Sequence, residues 1–158
     1  AAGGSVSANT SGGNGGGVTL AQASALFTAT LFQENSAAWN GGAFQIDGTA
    51  RAAVVDGCIV GNSDTAVVNN GSQAVIATNN WWGVRNGPAG VGPGLGDSIS
   101  ANVDFANYKT SPPPGCLDRS PIIAVGKTVA AYGYPSTVEK DEMRAERITI
   151  DGKTVEQR

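Results

Sequence analysis

The sequence predicts an all-β fold, a short parallel β-helix followed by a β-rich C-terminal extension. Three observations predict it. Residues 16 to 83 carry a loose internal repeat. Gly16-Gly17-Val18-Thr19-Leu20 recurs as Gly41-Gly42-Ala43-Phe44-Gln45, 25 positions later, and Leu31-Phe32-Gln33-Glu34-Asn35-Ser36 recurs as Cys58-Ile59-Val60-Gly61-Asn62-Ser63, 27 positions later. A weaker echo, Asn80-Trp81-Trp82-Gly83, begins 22 positions after Cys58. Self-similarity at this period marks a solenoid, in which one coil cannot bury its apolar face alone and stacking completes the core. Second, short apolar bursts alternate with turn clusters rich in Gly, Asn and Asp, the punctuation of strands. Third, no window keeps helical periodicity long enough to predict a helix.

Along the chain, residues 1–17 are mostly Gly, Ser, Ala and Asn. Such a stretch lacks the apolar surface to order itself, so it reads as a flexible leader or as a strand that orders only against a partner. Residues 18–115 read as the β-helix, with about three coils, near the minimum for a stable stack. The bursts Val18–Leu20, Leu26–Phe32, Ala43–Ile46, Ala52–Val55, Cys58–Val60, Ala66–Val68 and Ala74–Ala77 are its strands. The clusters Asn40-Gly41-Gly42, Asp47-Gly48, Asp56-Gly57, Gly61-Asn62-Ser63-Asp64 and Asn69-Asn70-Gly71 supply left-handed corners. Phe32 aligns with Ile59 and then with Trp81, as a column stacked along the axis. Asn35 and Asn62 align as rungs of an internal amide ladder. The run Ser111-Pro112-Pro113-Pro114-Gly115-Cys116 cannot continue a sheet and marks a boundary.

Residues 116–158 read as a charged extension. Pro121–Val125 and Thr128–Tyr132 suggest one hairpin. Glu146–Ile150 and Lys153–Glu156 flank Asp151-Gly152, the strongest hairpin signal in the chain. Thr137 to Arg144 has room for one or two helical turns. This extension is a small β module, or a strand source that docks on a neighbouring subunit.

Composition narrows the function. The chain has 158 residues, a net charge of -3 and no His. Residues 1 to 116 contain three basic side chains, Arg51, Arg85 and Lys109, so no basic stripe is available to bind nucleic acid. No apolar run approaches the roughly 20 residues of a membrane-spanning helix. The start, Ala1-Ala2-Gly3-Gly4, fits a processed terminus or a fragment boundary equally. Cys58 and Cys116 leave two states open: a disulfide that clamps the end of the solenoid against its last coil, or two unpaired thiols. A disulfide implies an oxidising compartment.

Two sets of motifs carry a resemblance. Phe32-x-x-Asn35 followed by Gly41-Gly42-Ala43-Phe44 resembles the FxxN and GGA repeats of the polymorphic outer-membrane protein family. Ala77-Thr78-Asn79-Asn80-Trp81-Trp82-Gly83, then Gly87-Pro88, then Gly96 to Phe105, resembles the last coil of bacterial extracellular right-handed β-helix proteins of the pectate-lyase-like superfamily. The resemblance covers about residues 16 to 115 and implies a right-handed coil. It says little about activity, because one fold hosts lyases, hydrolases, adhesins and inert stalks.

The residues offer little chemistry. Without His, the commonest general base and metal ligand are missing, and Ser–His and Cys–His nucleophile pairs are excluded. The cysteines lack metal-site spacing. Glu34, Asp47, Asp56 and Asp64 are the carboxylates available for paired acid–base work. The three aspartates sit in turn clusters, where such side chains cap their own backbone. Arg51 and Arg85 lack the acidic cluster that a pectate-type lyase needs for calcium. No catalytic residue, metal site or cofactor is expected. Trp39 and Trp82 are the candidate glycan-stacking residues. The competing reading has the tryptophans plugging the coil end, with one of Trp81 and Trp82 inward and the other outward.

The expectation is a non-enzymatic, secreted or cell-surface structural or adhesive protein: a stalk, surface passenger or filament subunit. It would assemble with like chains through strand addition or end-to-end solenoid contacts, with a surface glycan as a further partner. The alternative is a polysaccharide-binding module, or a fragment of a polysaccharide lyase or glycoside hydrolase.

Overall fold

In a computed structural model, residues 3–120, 129–135, 143–150 and 153–156 are described, and they form strands with no helix. Two compact units divide the chain at Ser120/Pro121. The first is a parallel β-solenoid of about four turns. Its first coil holds β1 (Ser5–Ser7), β2 (Thr10–Ser11), β3 (Val18–Ala21) and β4 (Ser24–Thr28). The second holds β5 (Leu31–Gln33), β6 (Ser36–Ala37), β7 (Phe44–Asp47) and β8 (Arg51–Val55). The third holds β9 (Cys58–Val60), β10 (Val67–Asn69) and β11 (Val75–Ile76). The fourth holds β12 (Pro88–Gly90), β13 (Gly96–Ile99) and β14 (Val103–Asp104).

Strands stack coil on coil in parallel sheets, in the orders β1-β5-β9, β3-β7-β10-β13-β12 and β4-β8-β11-β14, with β2 beside β6. The Gly-rich stretch, read from the sequence as a flexible leader or an exchangeable strand, therefore supplies β1 and β2 of the first coil. Ser5, Val6 and Ser7 pair with Leu31, Phe32 and Gln33, and Thr10 and Ser11 pair with Ser36 and Ala37. Small side chains suffice there because order comes from backbone ladders to a neighbouring coil, and Val6 adds packing against the core.

Register corrects two alignments by one residue. Val18 pairs with Phe44, so the glycine pairs are offset by one more position than the sequence match implies. Cys58 bridges to Trp81, which stacks Trp81 on Cys58 and not on Ile59. The pairing of Leu31 with Cys58 agrees with the sequence reading.

Corners repeat as faithfully as strands. The residue two positions before Ser5, Leu31, Cys58 and Trp81, which open successive coils, is left-handed each time: Gly3 (φ 72°), Ala29 (50°), Asp56 (61°) and Asn79 (57°). The solenoid lumen is apolar, with Phe32, Phe44, Ile46, Ile59 and Trp82 fully buried. The aromatic rings cluster across the lumen. Phe32 lies 4.2 Å from Phe44 and 5.2 Å from Phe27, centroid to centroid. Each such pair contributes about 0.5–1.5 kcal/mol beyond the area it buries.

The second unit contains β15 (Val129–Pro135), β16 (Met143–Ile150) and β17 (Lys153–Glu156) in one antiparallel sheet, order β15-β16-β17. Ile150 pairs with Lys153 on either side of Asp151-Gly152, as the hairpin signal predicts. Val129 to Pro135 pairs with β16. The first hairpin expected from the sequence falls largely on residues 121–128, outside the described residues. So does most of the Thr137–Arg144 segment, whose last two residues, Met143 and Arg144, are strand.

Candidate functional site

The polar feature that organises the solenoid wall is a ladder of side-chain amides at the turn after each first strand. Asn9 donates its Nδ2 to Asn35 Oδ1 at 2.9 Å. Asn35 donates its Nδ2 to Asn62 Oδ1 at 2.9 Å and to the Val6 carbonyl at 2.8 Å. Asn62 donates its Nδ2 to the Phe32 carbonyl and to Asp97 Oδ2, at 2.9 and 2.8 Å. A carboxylamide suits each inner rung because it donates and accepts at once. The last rung is a carboxylate, which only accepts. Asp97 takes N–H groups from Asn62 and Gly61 at 2.9 and 2.8 Å as well.

Burial pushes the Asp97 carboxyl above its usual range. Its hydrogen bonds to Asn62 and Gly61 and the positive charge of Arg119 oppose that rise without cancelling it. Asp97 was not among the carboxylates drawn from the sequence. The Asn35–Asn62 spacing of 27 does not reach it, because the Gly/Pro-rich loop of the fourth coil stretches the last step to 35.

Two polar grooves flank Arg119. One, of about 380 Å³, is lined by Asn62, Asp64, Asp97, Ser98 and Arg119 among others. The other, of about 480 Å³, includes Glu34, Ser36, Ser63, Asp118 and Arg119. The Arg119 guanidinium passes over Gly61 so closely that a Cβ there would lie 3.0 Å from its Nη1. A third groove, of about 410 Å³, crosses β4, β8 and β11, with Leu26 and Ile76 on either side of Ala53 and Arg51 at its edge.

The sequence candidates disperse. Trp39 is 69% exposed. Trp82 is fully buried in the lumen and cannot stack on a glycan. Strand alternation holds, since Trp81 faces out while Trp82 faces in, but Trp81 is only 1% exposed because a later segment covers it. Cys58 and Cys116 are bonded to each other, with Cα atoms 6.2 Å apart.

Of the carboxylates singled out from the sequence, three have left-handed backbones and the fourth, Asp47, accepts two side-chain amides. Asp56 occupies a left-handed corner and pairs with Lys109 at 3.6 Å. Asp47 accepts from Gln45 and Asn70, at 2.8 and 3.2 Å. Glu34 and Asp64 have positive φ. Among the described residues, no group of three or more His, Cys, Asp or Glu is placed to hold a metal ion. Among them, too, no helix is long and apolar enough to cross a membrane. No model of a protein family, no curated protein and no solved structure matches this chain.

Proposed function

We propose that this chain is a non-enzymatic structural or adhesive protein of the cell exterior, a stalk, surface passenger or filament subunit that assembles through strand edges at the end of its solenoid. The observation that carries this reading is the first coil. Among the described residues, β1, β2 and β3 each have one hydrogen-bonded neighbour strand, and these three edges lie at the same end. The half-buried Val6, Val18, Leu20 and Phe27 of that coil add apolar surface beside the edges. Unpaired edges next to apolar surface invite another β-chain. The Cys58–Cys116 disulfide supports a secreted or cell-surface location, because such bonds persist in oxidising compartments. The likeness of the FxxN, GGA and Asn-Trp-Trp-Gly motifs to polymorphic outer-membrane and pectate-lyase-like β-helix proteins belongs to this proposal.

Negative-stain electron microscopy with light scattering tests it. Rods, or masses that are multiples of 15.9 kDa, are expected. Ser5→Lys with Ser7→Lys, two exposed positions on edge strand β1, should lower the mass and leave the fold intact. Monodisperse 15.9 kDa particles at every concentration tested would sink the reading.

A second reading, a polysaccharide-binding module or a fragment of a polysaccharide lyase or glycoside hydrolase, is favoured by the two polar grooves beside Arg119 and by exposed Trp39. Retardation in affinity gels of acidic polysaccharide, lost in Trp39→Ala, would favour it over the first.

A further inference from the structure

The segment after the proline run lies across the coils instead of along a strand. In the second coil, Gln33 donates its Nε2 to the Gly115 carbonyl (3.3 Å) and accepts the Leu117 N–H at Oε1 (2.9 Å). In the third coil, Cys58 is bonded to Cys116. In the fourth coil, the Trp81 indole N–H donates to the Leu117 carbonyl (2.7 Å), and the Arg119 N–H donates to the Gly83 carbonyl (2.7 Å). Residues 115–119 therefore form a strap that touches three successive coils.

What lies beneath the strap is apolar and faces out of the solenoid. Leu31, Cys58 and Trp81 are register partners in one column, with Val60 beside them. Outward residues of a thin β-solenoid ordinarily meet water. Here Cys58 and Val60 are fully buried and Trp81 nearly so, in a cluster separate from the lumen. The noncovalent attachments of the strap are few, and those to Gln33 are solvent-exposed. Its outer residues Gly115, Leu117, Asp118 and Arg119 are exposed. One covalent bond joins this weakly attached strap to the coil it covers.

The geometry points to a redox latch: reduction of Cys58–Cys116 by a dithiol frees residues 115–119 and uncovers Trp81, while the solenoid stays folded. Cys58 is fully buried and Cys116 half-buried, so a thiolate reaches Cys116 Sγ. Attack there forms a mixed disulfide and breaks the Sγ–Sγ bond, and Cys58 leaves as a thiolate that takes up a proton. The second thiolate of the reductant closes its own disulfide and releases Cys116 as a thiol. The dithiol loses two electrons and two protons, and the cysteine pair gains both. Freed of the cross-link, the strap opens as a local unit, while the lumen cluster and coil ladders remain.

Fluorescence quenching by iodide or acrylamide tests this. In a Trp39→Phe background the remaining tryptophans are Trp81 and Trp82. The oxidised chain should resist quenching. Adding dithiothreitol should make about half of the emission quenchable, with the far-ultraviolet β signal unchanged, because Trp82 stays in the lumen. Cys116→Ser should show the opened state without reductant and not respond to it. The latch is overturned if reduction leaves quenching unchanged, if Cys116→Ser keeps Trp81 shielded, or if the β signal collapses with the release. That last result makes the disulfide a staple of the whole fold.

Discussion

Asn62 donates both its backbone N–H and its side-chain amide to one oxygen of Asp97, at 2.9 and 2.8 Å. The pair ends the amide ladder and ties the fourth coil to the third. It also places an acid where only N–H donors face it, in surroundings that penalise its charge.

The first prediction concerns pH. Because burial raises the folded carboxyl above its reference value of 3.8, the folded state holds the Asp97 proton more tightly than the unfolded state. Between the two values the native chain binds more protons, so stability falls as pH rises through that window. Below it the contribution is fully present. Asp97→Asn removes this dependence, and turns an NH₂ toward N–H donors at a cost of about 1–3 kcal/mol. Urea midpoints from pH 3 upward should show the advantage of wild type over the variant shrinking as pH rises. A constant difference would mean that Asp97 does not titrate in this range.

The ladder interior should be less forgiving. Asn35 is 1% exposed and bonds to Asn9, Val6 and Asn62. Asn35→Ala removes the donors that serve the buried Asn62 side chain and the half-buried Val6 carbonyl, and should cost about 1–3 kcal/mol in urea unfolding. Asn35→Asp should cost at least as much at neutral pH, because it removes both donors, and recover partly on acidification. Equal stability of Asn35→Ala and wild type would show that the rungs contribute nothing net.

Glycine pairs set how closely the coils approach. A Cβ on Gly42 would lie 2.3 Å from the Ser63 carbonyl oxygen, and backbone cannot yield as a flexible side chain can. Gly42→Ala should destabilise by about 3 kcal/mol. Gly12, where a Cβ meets nothing within 4 Å, is the control, and Gly12→Ala should be neutral or slightly stabilising. Comparable thermal midpoints for the two variants would contradict the close approach.

Trp39 and Trp82 should behave oppositely. Trp82→Ala empties part of the lumen and should cost about 3–5 kcal/mol. Trp39→Ala, at a position 69% exposed, should leave the denaturation midpoint within about 0.5 kcal/mol of wild type. A large loss in Trp39→Ala would show that its ring packs on more than solvent.

The repeat spacing, the turn clusters and the absence of helical period were enough to read a parallel solenoid, because stacking equivalent coils forces equivalent residues into register. The pairing of Leu31 with Cys58 and of Asn35 with Asn62 was legible for that reason. For residues 1–17 leader and strand stayed open because they carry little apolar signal, and backbone ladders to a neighbouring coil order them. Asp97 was missed because the fourth coil contains a long insertion that breaks the period.

The sequence alone determined that neighbouring strand residues face opposite ways, since the period of a strand is two, but not which of Trp81 and Trp82 faces the lumen. Only tertiary structure decided what outward means. Trp81 faces out as alternation requires, yet a strap from residues 115–119 covers it, and nothing in the local pattern of Trp81 records a segment that returns from 36 positions away. Burial of an outward face depends on long-range chain path, which neither periodicity nor composition encodes.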